Sequence, residues 1–162
     1  KLALHQVDLV IADEPLTRKV SVKAFNHVLG RSPVCFYAAA SLRERLRGEF
    51  PRCLDGAPML LPGVTSSMRR QLDGWLARHR VHPRVVGEFD DSALTGAFAR
   101  EGRGVFVAPA VLQRETEAQN AVRAIGRSDE LVDEFHAISV ERRLKHPAVL
   151  ALVRTAREEL LG

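Results

Sequence analysis

The stretch from Gly87 to Ala110, GEFDDSALTGAFAREGRGVFVAPA, constrains the fold most, because its pattern predicts a strand, a helix and a second strand at short spacing. The same order occurs just upstream, where PMLLPG, SSMRRQLDGWLARHR and RVVGEFD predict strand, helix and strand. Strands joined in this way need right-handed crossovers onto a parallel sheet. The chain is therefore predicted to be an α/β protein.

The flanking segments predict further strands and helices. Upstream these are a buried strand in VDLVIAD, a half-exposed strand in SVKAFNHVLG, an apolar strand in SPVCFYAAA after a break at Gly30 to Pro33, and a short helix in SLRERLRGEF capped by Ser41. Downstream they are a helix in VLQRETEAQN, separate strands in AVRAIGR and EFHAISVER, and a last helix with Pro147 in its first turn and Val149, Leu152, Val153, Ala156 and Leu160 on its apolar face.

These elements group into two lobes. Residues 38–113 form a self-contained α/β unit, called lobe II, and residues 1–37 with 114–162 form lobe I. Two α/β lobes joined by extended segments predict a ligand cleft that opens and closes about the hinges.

Composition and motifs exclude several classes of protein. No apolar run approaches the ~20 residues of a membrane helix, and no signal peptide begins the chain, so a cytoplasmic protein without membrane contact is expected. The net charge of +4 comes mainly from scattered arginines, so we expect no direct binding of nucleic acid by this chain. Cys35 and Cys53 lack metal-binding spacing and are expected to be reduced. Catalytic and dinucleotide motifs are absent, and we expect neither an enzyme nor a bound cofactor.

Five segments carry a resemblance to a known family. LHQVDLVIADEP, LLPG, GEFDDSALTGAFA, VFVAPA and EFHAISVERRLKHPAV resemble, in this order, the effector-binding domain of LysR-type transcriptional regulators. Within that family they resemble activators of sodium/proton antiporter genes. The resemblance covers essentially the whole chain. It implies a two-lobed, type II periplasmic-binding-protein-like effector domain with mixed sheets.

The resemblance also implies parts that this chain lacks. The family's winged helix-turn-helix, its linker helix and the first strand and helix of lobe I are not matched, so we expect DNA to be bound only through the missing N-terminal domain. Family members commonly pair through their effector domains. We therefore expect a homodimer, with Val20–Phe25 and Leu72–Arg80 as candidate contact segments. The alternative is a solute-binding protein of a transporter, against which the lack of a signal peptide argues.

The effector is expected at strand ends and helix starts, because these point into the cleft of a two-lobed binder. The candidate residues are Asp13, Glu14 and Pro15, then Gly63, Thr65, Ser66 and Ser67, then Phe89, Asp90 and Asp91, and lastly Val107, Ala108 and Pro109. The structural alternative for the aspartates and hydroxyls is helix capping alone. For the Asp13 segment it is a solvent-exposed turn.

The chemical nature of the effector follows from the acidic residues among these candidates. If they converge, Asp13, Glu14, Asp90 and Asp91 bring up to four carboxylates together, and hard oxygen ligands suit hard cations. The antiporter-activator resemblance implies a response to sodium, so these four residues are the candidate sodium ligands. The other candidate is an organic effector, such as an anion held at Thr65 to Ser67.

Overall fold

The computed structural model describes residues 9–12, 25–139 and, in the C-terminal segment, 147, 150, 151, 153–155 and 158. Its strands are β1 (Leu9–Ala12), β2 (Phe25–Ala39), β3 (Pro58–Pro62), β4 (Arg84–Phe89), β5 (Phe106–Pro109) and β6 (Val122–Ser139). Its helices are α1 (Ala40–Arg43), α2 (Ser67–His79), α3 (Ser92–Arg100) and α4 (Gln113–Asn120), with 3-10 turns at Arg52–Leu54 and Ala110–Leu112. The α/β prediction is confirmed.

The chain divides into two compact units. Unit 1 comprises Lys1–Ser32 and Asp133–Gly162, and unit 2 comprises Pro33–Val132. The predicted lobes change at residues 37/38 and 113/114, whereas the units change at 32/33 and 132/133. Both boundaries between the units fall inside long strands, the first within β2 and the second within β6.

Two predicted strand breaks are wrong. β2 runs without interruption through Gly30 to Pro33, where Ser32 is only 2% exposed, so this segment is packed rather than a surface turn. The φ angle of proline is compatible with an extended chain, which explains why Pro33 does not end the strand. β6 likewise joins AVRAIGR to EFHAISVER in one strand. In its polar middle Ser128 and Leu131 are buried, whereas Asp129 and Glu130 are exposed, so this part of the strand is partly packed and partly solvent-facing.

Two local predictions also need correction. β1 was expected to be buried, yet Val10 is 38% and Ile11 is 51% exposed. Among the described strands, β1 stands at the end of its sheet and pairs only with β6, so its apolar sequence does not make it a central strand there. Ser41 does not cap α1, because the helix begins at Ala40 and the capping position is Ala39. The serine comes two residues too late for that role.

Unit 1 is built on β6, which lies between β1 and β2. β1 pairs with β6 in antiparallel register, with Leu9 opposite Ser139 and Ala12 opposite His136. Leu29, Ala137 and Val153 form its described core, with Leu9 and Phe135 packed against it. Val153 therefore agrees with the predicted apolar face of the last helix. The other members of that face, Val149, Leu152, Ala156 and Leu160, lie outside the described residues.

Unit 2 has two hydrophobic clusters because the side chains of β2 alternate. One set of β2 residues packs with α2, as Phe36 does against Trp75 at a ring distance of 5.0 Å. This set belongs to the cluster under α2. The other set packs with β5 and α3, as Tyr37 does against Phe106 at a ring distance of 5.4 Å. This set belongs to the cluster under α3. β3 and β4 are parallel, whereas β2 and β5 are antiparallel, so the predicted mixture of strand directions is confirmed. In the described part of the chain, no helix is long and apolar enough to cross a membrane.

Candidate functional site

Three strands of unit 2 end at the same edge. β3 and β4 pair in parallel, which places Pro62 opposite Phe89 at their carboxyl ends. β5 is preceded by a parallel bridge between Met59 and Val105, so it runs in the same direction as β3. The segments after β3, after β4 and at the end of β5 therefore meet at one edge, which is here called the strand-end edge. Three of the four candidate segments predicted from the sequence lie at this edge.

Gly63 and Asp90 lie against each other at this edge. The Gly63 N–H donates to the carbonyl oxygen of Phe89 at 3.0 Å, which joins the two loops. A Cβ atom at position 63 would lie 1.7 Å from Oδ1 of Asp90 and 2.8 Å from its Cγ. Glycine therefore allows the Asp90 carboxylate to fold over the β3 loop.

Ser66 is the N-cap of α2. Its Oγ accepts a hydrogen bond from the Arg69 N–H at 3.1 Å, and its own N–H donates to the Gly63 carbonyl at 3.0 Å. Thr65 is exposed beside it, and its carbonyl accepts a hydrogen bond from the Arg70 guanidinium at 3.0 Å. Ser67 is the first residue of the helix. The capping prediction for this serine pair is thus met by Ser66.

Asp91 caps α3 in the same way. Its Oδ1 accepts hydrogen bonds from the N–H groups of Ala93 at 2.7 Å and Leu94 at 3.0 Å. The Thr95 hydroxyl donates to the main-chain oxygen of Asp91 at 2.9 Å. The capping prediction is confirmed for Asp91. The other carboxylate oxygen, Oδ2, accepts no hydrogen bond from the described residues, so the cap leaves one oxygen available.

Apolar residues border the acidic pair. The Phe89 ring contacts the Phe98 ring at a centroid distance of 5.0 Å with the two planes tilted. Phe89 and Ala108 both pack against the cluster under α3. Val107 points to the opposite side of β5 and packs against the cluster under α2. Pro109 ends β5 and is half-buried. Phe89 and Ala108 therefore lie on the α3 side of unit 2, whereas Val107 lies on the α2 side.

Arg69 is a residue of this edge that sequence reasoning missed. Its guanidinium donates to the carbonyl of Pro62 at 3.0 Å, to Glu88 at 3.0 Å and to Asp73 at 3.1 Å, and its side chain is only 14% exposed. Partial burial lowers the pKa of Arg69, but the bonds to Glu88 and Asp73 raise it by more. Arg69 thus ties α2 to the ends of β3 and β4. The i,i+4 spacing from Arg69 to Asp73 is a signal that could have found it.

The acidic residues do not form a metal cluster within the described chain. Asp90 and Asp91 are present at the strand-end edge, whereas Asp13, Glu14 and Pro15 lie outside the described residues. Among the residues that the structure describes, no group of three or more His, Cys, Asp or Glu side chains is placed to hold a metal ion. Direct coordination of sodium by some of the four candidate carboxylates stays a prediction.

The sequence profile of the LysR substrate binding domain matches residues 1–161. The chain belongs to the LysR substrate-binding domain family. It is 33% identical over 155 residues to the transcriptional activator protein NhaR of Escherichia coli (strain K12). This match covers 96% of this chain and 50% of that protein. The predicted resemblance to LysR effector-binding domains of the NhaR-like kind is confirmed. The chain spans about half the length of the curated relatives it matches.

Solved structures of transcriptional regulators share the fold. The effector domain of the transcriptional regulator AmpR of Pseudomonas aeruginosa matches with a TM-score of 0.70 and 21% identity, over 100% of this chain and 77% of that chain. DarR of Vibrio fischeri, solved in complex with DNA, matches with a TM-score of 0.66 and 19% identity, over 98% and 53%. The type II periplasmic-binding-like fold is confirmed. LysR membership favours the regulator over the solute-binding alternative.

Proposed function

We propose that the chain is the effector-sensing part of a cytoplasmic, DNA-binding transcriptional activator, with a regulatory rather than a catalytic role. The observation that carries this proposal is the strand-end edge of unit 2, where the starts of α2 and α3 and the end of β5 meet, in a chain that is 33% identical to an activator. DNA contacts are assigned to a segment outside this chain.

The effector takes its unit 2 contacts from the acidic side of this edge. Asp91 Oδ1 is engaged by the α3 cap, but its Oδ2 and the Asp90 carboxylate accept no hydrogen bond from the described residues. Phe89 precedes them in the chain and offers apolar surface next to them, and Ala108 packs against the same cluster as Phe89. This combination fits a small effector that carries hydrogen-bond donors or a positive charge on an apolar body.

Sodium is the second candidate effector, and it uses the same two carboxylates. Oxygen ligands suit a hard cation, and Asp90 and Asp91 supply two such side chains at adjacent positions. An anion held at Thr65 to Ser67 fits less well, because the Arg69 N–H at the start of α2 already donates to the Ser66 hydroxyl oxygen.

The effector acts on transcription only if it binds one arrangement of the protein better than another. We propose that the protein forms a homodimer and that effector binding changes the arrangement in which the DNA-binding parts are held. The apolar residues of α2 cannot supply the dimer contact, because Leu72, Trp75 and Leu76 are buried in unit 2 itself. Of the other candidate segment, Val20–Phe25, residues 20–24 lie outside the described residues. Sedimentation of the full chain over a range of concentrations tests the dimer.

Thermal unfolding in sodium chloride and potassium chloride at equal ionic strength tests the sodium proposal. A ligand that binds only the folded state stabilises it by about 2.7 kcal/mol at a hundred times its Kd. A saturable rise of Tm that is specific to sodium, and that is lost in Asp90→Asn and Asp91→Asn but kept in Asp129→Asn, supports direct sensing. Identical melts overturn sodium as the effector. A screen of small organic cations against the same variants then tests the donor-bearing effector.

A further inference from the structure

A surface cavity in unit 2 lies apart from the strand-end edge. Its volume is about 670 Å³. It is open to solvent on one side and is lined by α1, the segment that follows α1, the 3-10 turn and the start of β6. None of its lining residues belongs to the strand-end edge. The volume falls within the range of about 300–1,000 Å³ found for small-molecule sites.

The floor of the cavity is apolar and held in place by the core. Leu46, Phe50 and Ile125 line it, and all three pack against the cluster under α2. Phe50 contacts Phe36 at 5.1 Å and stacks on Trp75 at 5.7 Å. Such a fixed apolar surface binds an apolar group without reorganising.

Gly126 leaves the space on β6 that the Phe50 ring occupies. A Cβ atom at residue 126 would lie 2.2 Å from the Phe50 ring, so only glycine allows the ring to lie on β6. The ring is therefore confined between β6 and Trp75. The floor of the cavity has one defined shape.

The rim of the cavity carries both signs of charge. Arg43, Glu44 and Glu49 line it, and all three residues are exposed. Within the described part of the chain, neither glutamate has a cationic partner within 4.0 Å. Arg43 acts on Glu117 only as a more distant charge. A guanidinium binds a carboxylate and a glutamate binds an ammonium group, so the rim complements a zwitterion.

We infer that this cavity is a second small-molecule site of unit 2, and that it takes an apolar α-amino acid. The Arg43 guanidinium binds the ligand carboxylate, Glu44 and Glu49 bind the ammonium group, and the side chain lies on Leu46, Phe50 and Ile125. Neither a simple anion nor a simple cation satisfies a rim of both charges over an apolar floor. This site is additional to the effector contacts proposed for the strand-end edge.

Trp75 gives a direct readout, since it is the single tryptophan of the chain and stacks on Phe50. L-leucine titrated into the full chain is expected to change the Trp75 fluorescence in a saturable way. Arg43→Gln, and Glu44→Gln combined with Glu49→Gln, are each expected to raise the Kd about tenfold or more, because a charge-assisted hydrogen bond is lost. Leucinamide and 4-methylpentanoate, which lack one charge each, are expected to bind equally weakly. Arg45→Gln, on the same segment but outside the cavity, is the matched control.

A second measurement locates the ligand. Cys53 lines the cavity and is 8% exposed, whereas Cys35 lies in the other cluster of unit 2. Bound leucine is expected to slow thiol labelling of Cys53, measured on its peptide by mass spectrometry, and to leave Cys35 unaffected. Lack of saturable binding up to millimolar leucine, or binding that survives Arg43→Gln, overturns the proposal. Binding that is lost in Asp91→Asn instead also overturns it, because leucine is then an effector of the strand-end edge.

Discussion

The Asp90 carboxylate occupies the space that a side chain at Gly63 would need. Its Oδ1 lies 1.7 Å from the position of a Cβ atom on Gly63, well inside any van der Waals contact. The two residues follow the ends of the parallel strands β3 and β4, which the Gly63 N–H joins by its bond to Phe89. The glycine thus sets where one of the candidate effector ligands lies.

Gly63→Ala is therefore expected to displace the Asp90 side chain and to cost up to about 1 kcal/mol of unfolding free energy, because that side chain must give up its place over the β3 loop. Denaturant unfolding measures this. The combined change Gly63→Ala with Asp90→Ala is expected to recover most of the loss. If the double variant is as unstable as the single one, the conflict lies in the backbone and not in the carboxylate.

Gly74→Ala is the matched control for this experiment. Gly74 lies inside α2, where a Cβ atom would meet only the Arg78 guanidinium at an ordinary 3.5 Å. Alanine has the higher helix propensity, so this change is expected to stabilise the protein by about 1 kcal/mol. A loss at both glycines would mean that the chain tolerates no added methyl group in this region.

Asp91 combines a capping role with a proposed ligand role, and two substitutions separate them. Asp91→Ala removes the acceptor for Ala93 and Leu94 and is expected to cost about 1 kcal/mol. Asp91→Asn keeps a capping oxygen and is expected to retain nearly all of the stability, but it removes the carboxylate charge. Urea unfolding and effector binding are measured on both variants. Loss of effector binding in Asp91→Asn at unchanged stability assigns the charge to the effector, and unchanged binding leaves Asp91 as a cap alone.

Arg69 is expected to matter more for stability than its position on a helix surface suggests. Arg69→Lys keeps the charge but cannot reach Pro62, Glu88 and Asp73 at once, because an ammonium group lacks the planar fork. A loss of about 1–3 kcal/mol is expected from the broken and unpaired hydrogen bonds. Arg70→Lys, which loses one exposed bond to the Thr65 carbonyl, is the control and should change little. Equal effects of the two changes would show that the fork geometry is unimportant.

The sequence predicted the elements of unit 2 well because their signals are local. The apolar face of α2 and the caps at Ser66 and Asp91 follow from spacing and residue type, and they are found as predicted. The long strands were harder, because Gly30 to Pro33 carries turn residues yet is held extended by packing. Tertiary contacts overrode local preference there.

The arrangement of the candidate site was only partly predictable. Parallel strands imply that their carboxyl ends meet, which brought Gly63, Asp90 and Pro109 to one edge. The contact between Gly63 and Asp90, and the three-way role of Arg69, depend on distances that no pattern in the chain encodes. Sequence reasoning treated these residues as independent, whereas the structure couples them.

Ala121 provides a test of backbone strain. It follows α4 with a φ of 50°, in the left-handed region that favours glycine. Ala121→Gly is expected to stabilise the protein by about 0.5–1 kcal/mol, since relief of the steric cost exceeds the added chain entropy of glycine. Thermal and denaturant unfolding measure the gain. The control, Ala118→Gly within α4, is expected to destabilise by about 1 kcal/mol, and a gain there too would contradict the conformational explanation.

Glu117 gives a prediction about pH. The hydrogen bond from the Ala124 N–H lowers the pKa of Glu117 below its ordinary value of 4.5, and the Gln113 amide and the Arg123 guanidinium lower it further, against the opposing effect of partial burial. A group whose pKa is lowered by folding stabilises the protein fully above its unfolded pKa. That contribution is lost as the pH falls through the lower folded value.

Glu117→Gln is therefore expected to be less stable than the wild type at neutral pH, and the difference is expected to shrink as the pH falls below 4.5. Urea unfolding from neutral to strongly acidic pH measures both curves. Glu115→Gln, on the exposed side of the same helix, is the control and should run parallel to the wild type. A constant difference between wild type and Glu117→Gln at every pH would show that the side chain acts by packing and not through its charge.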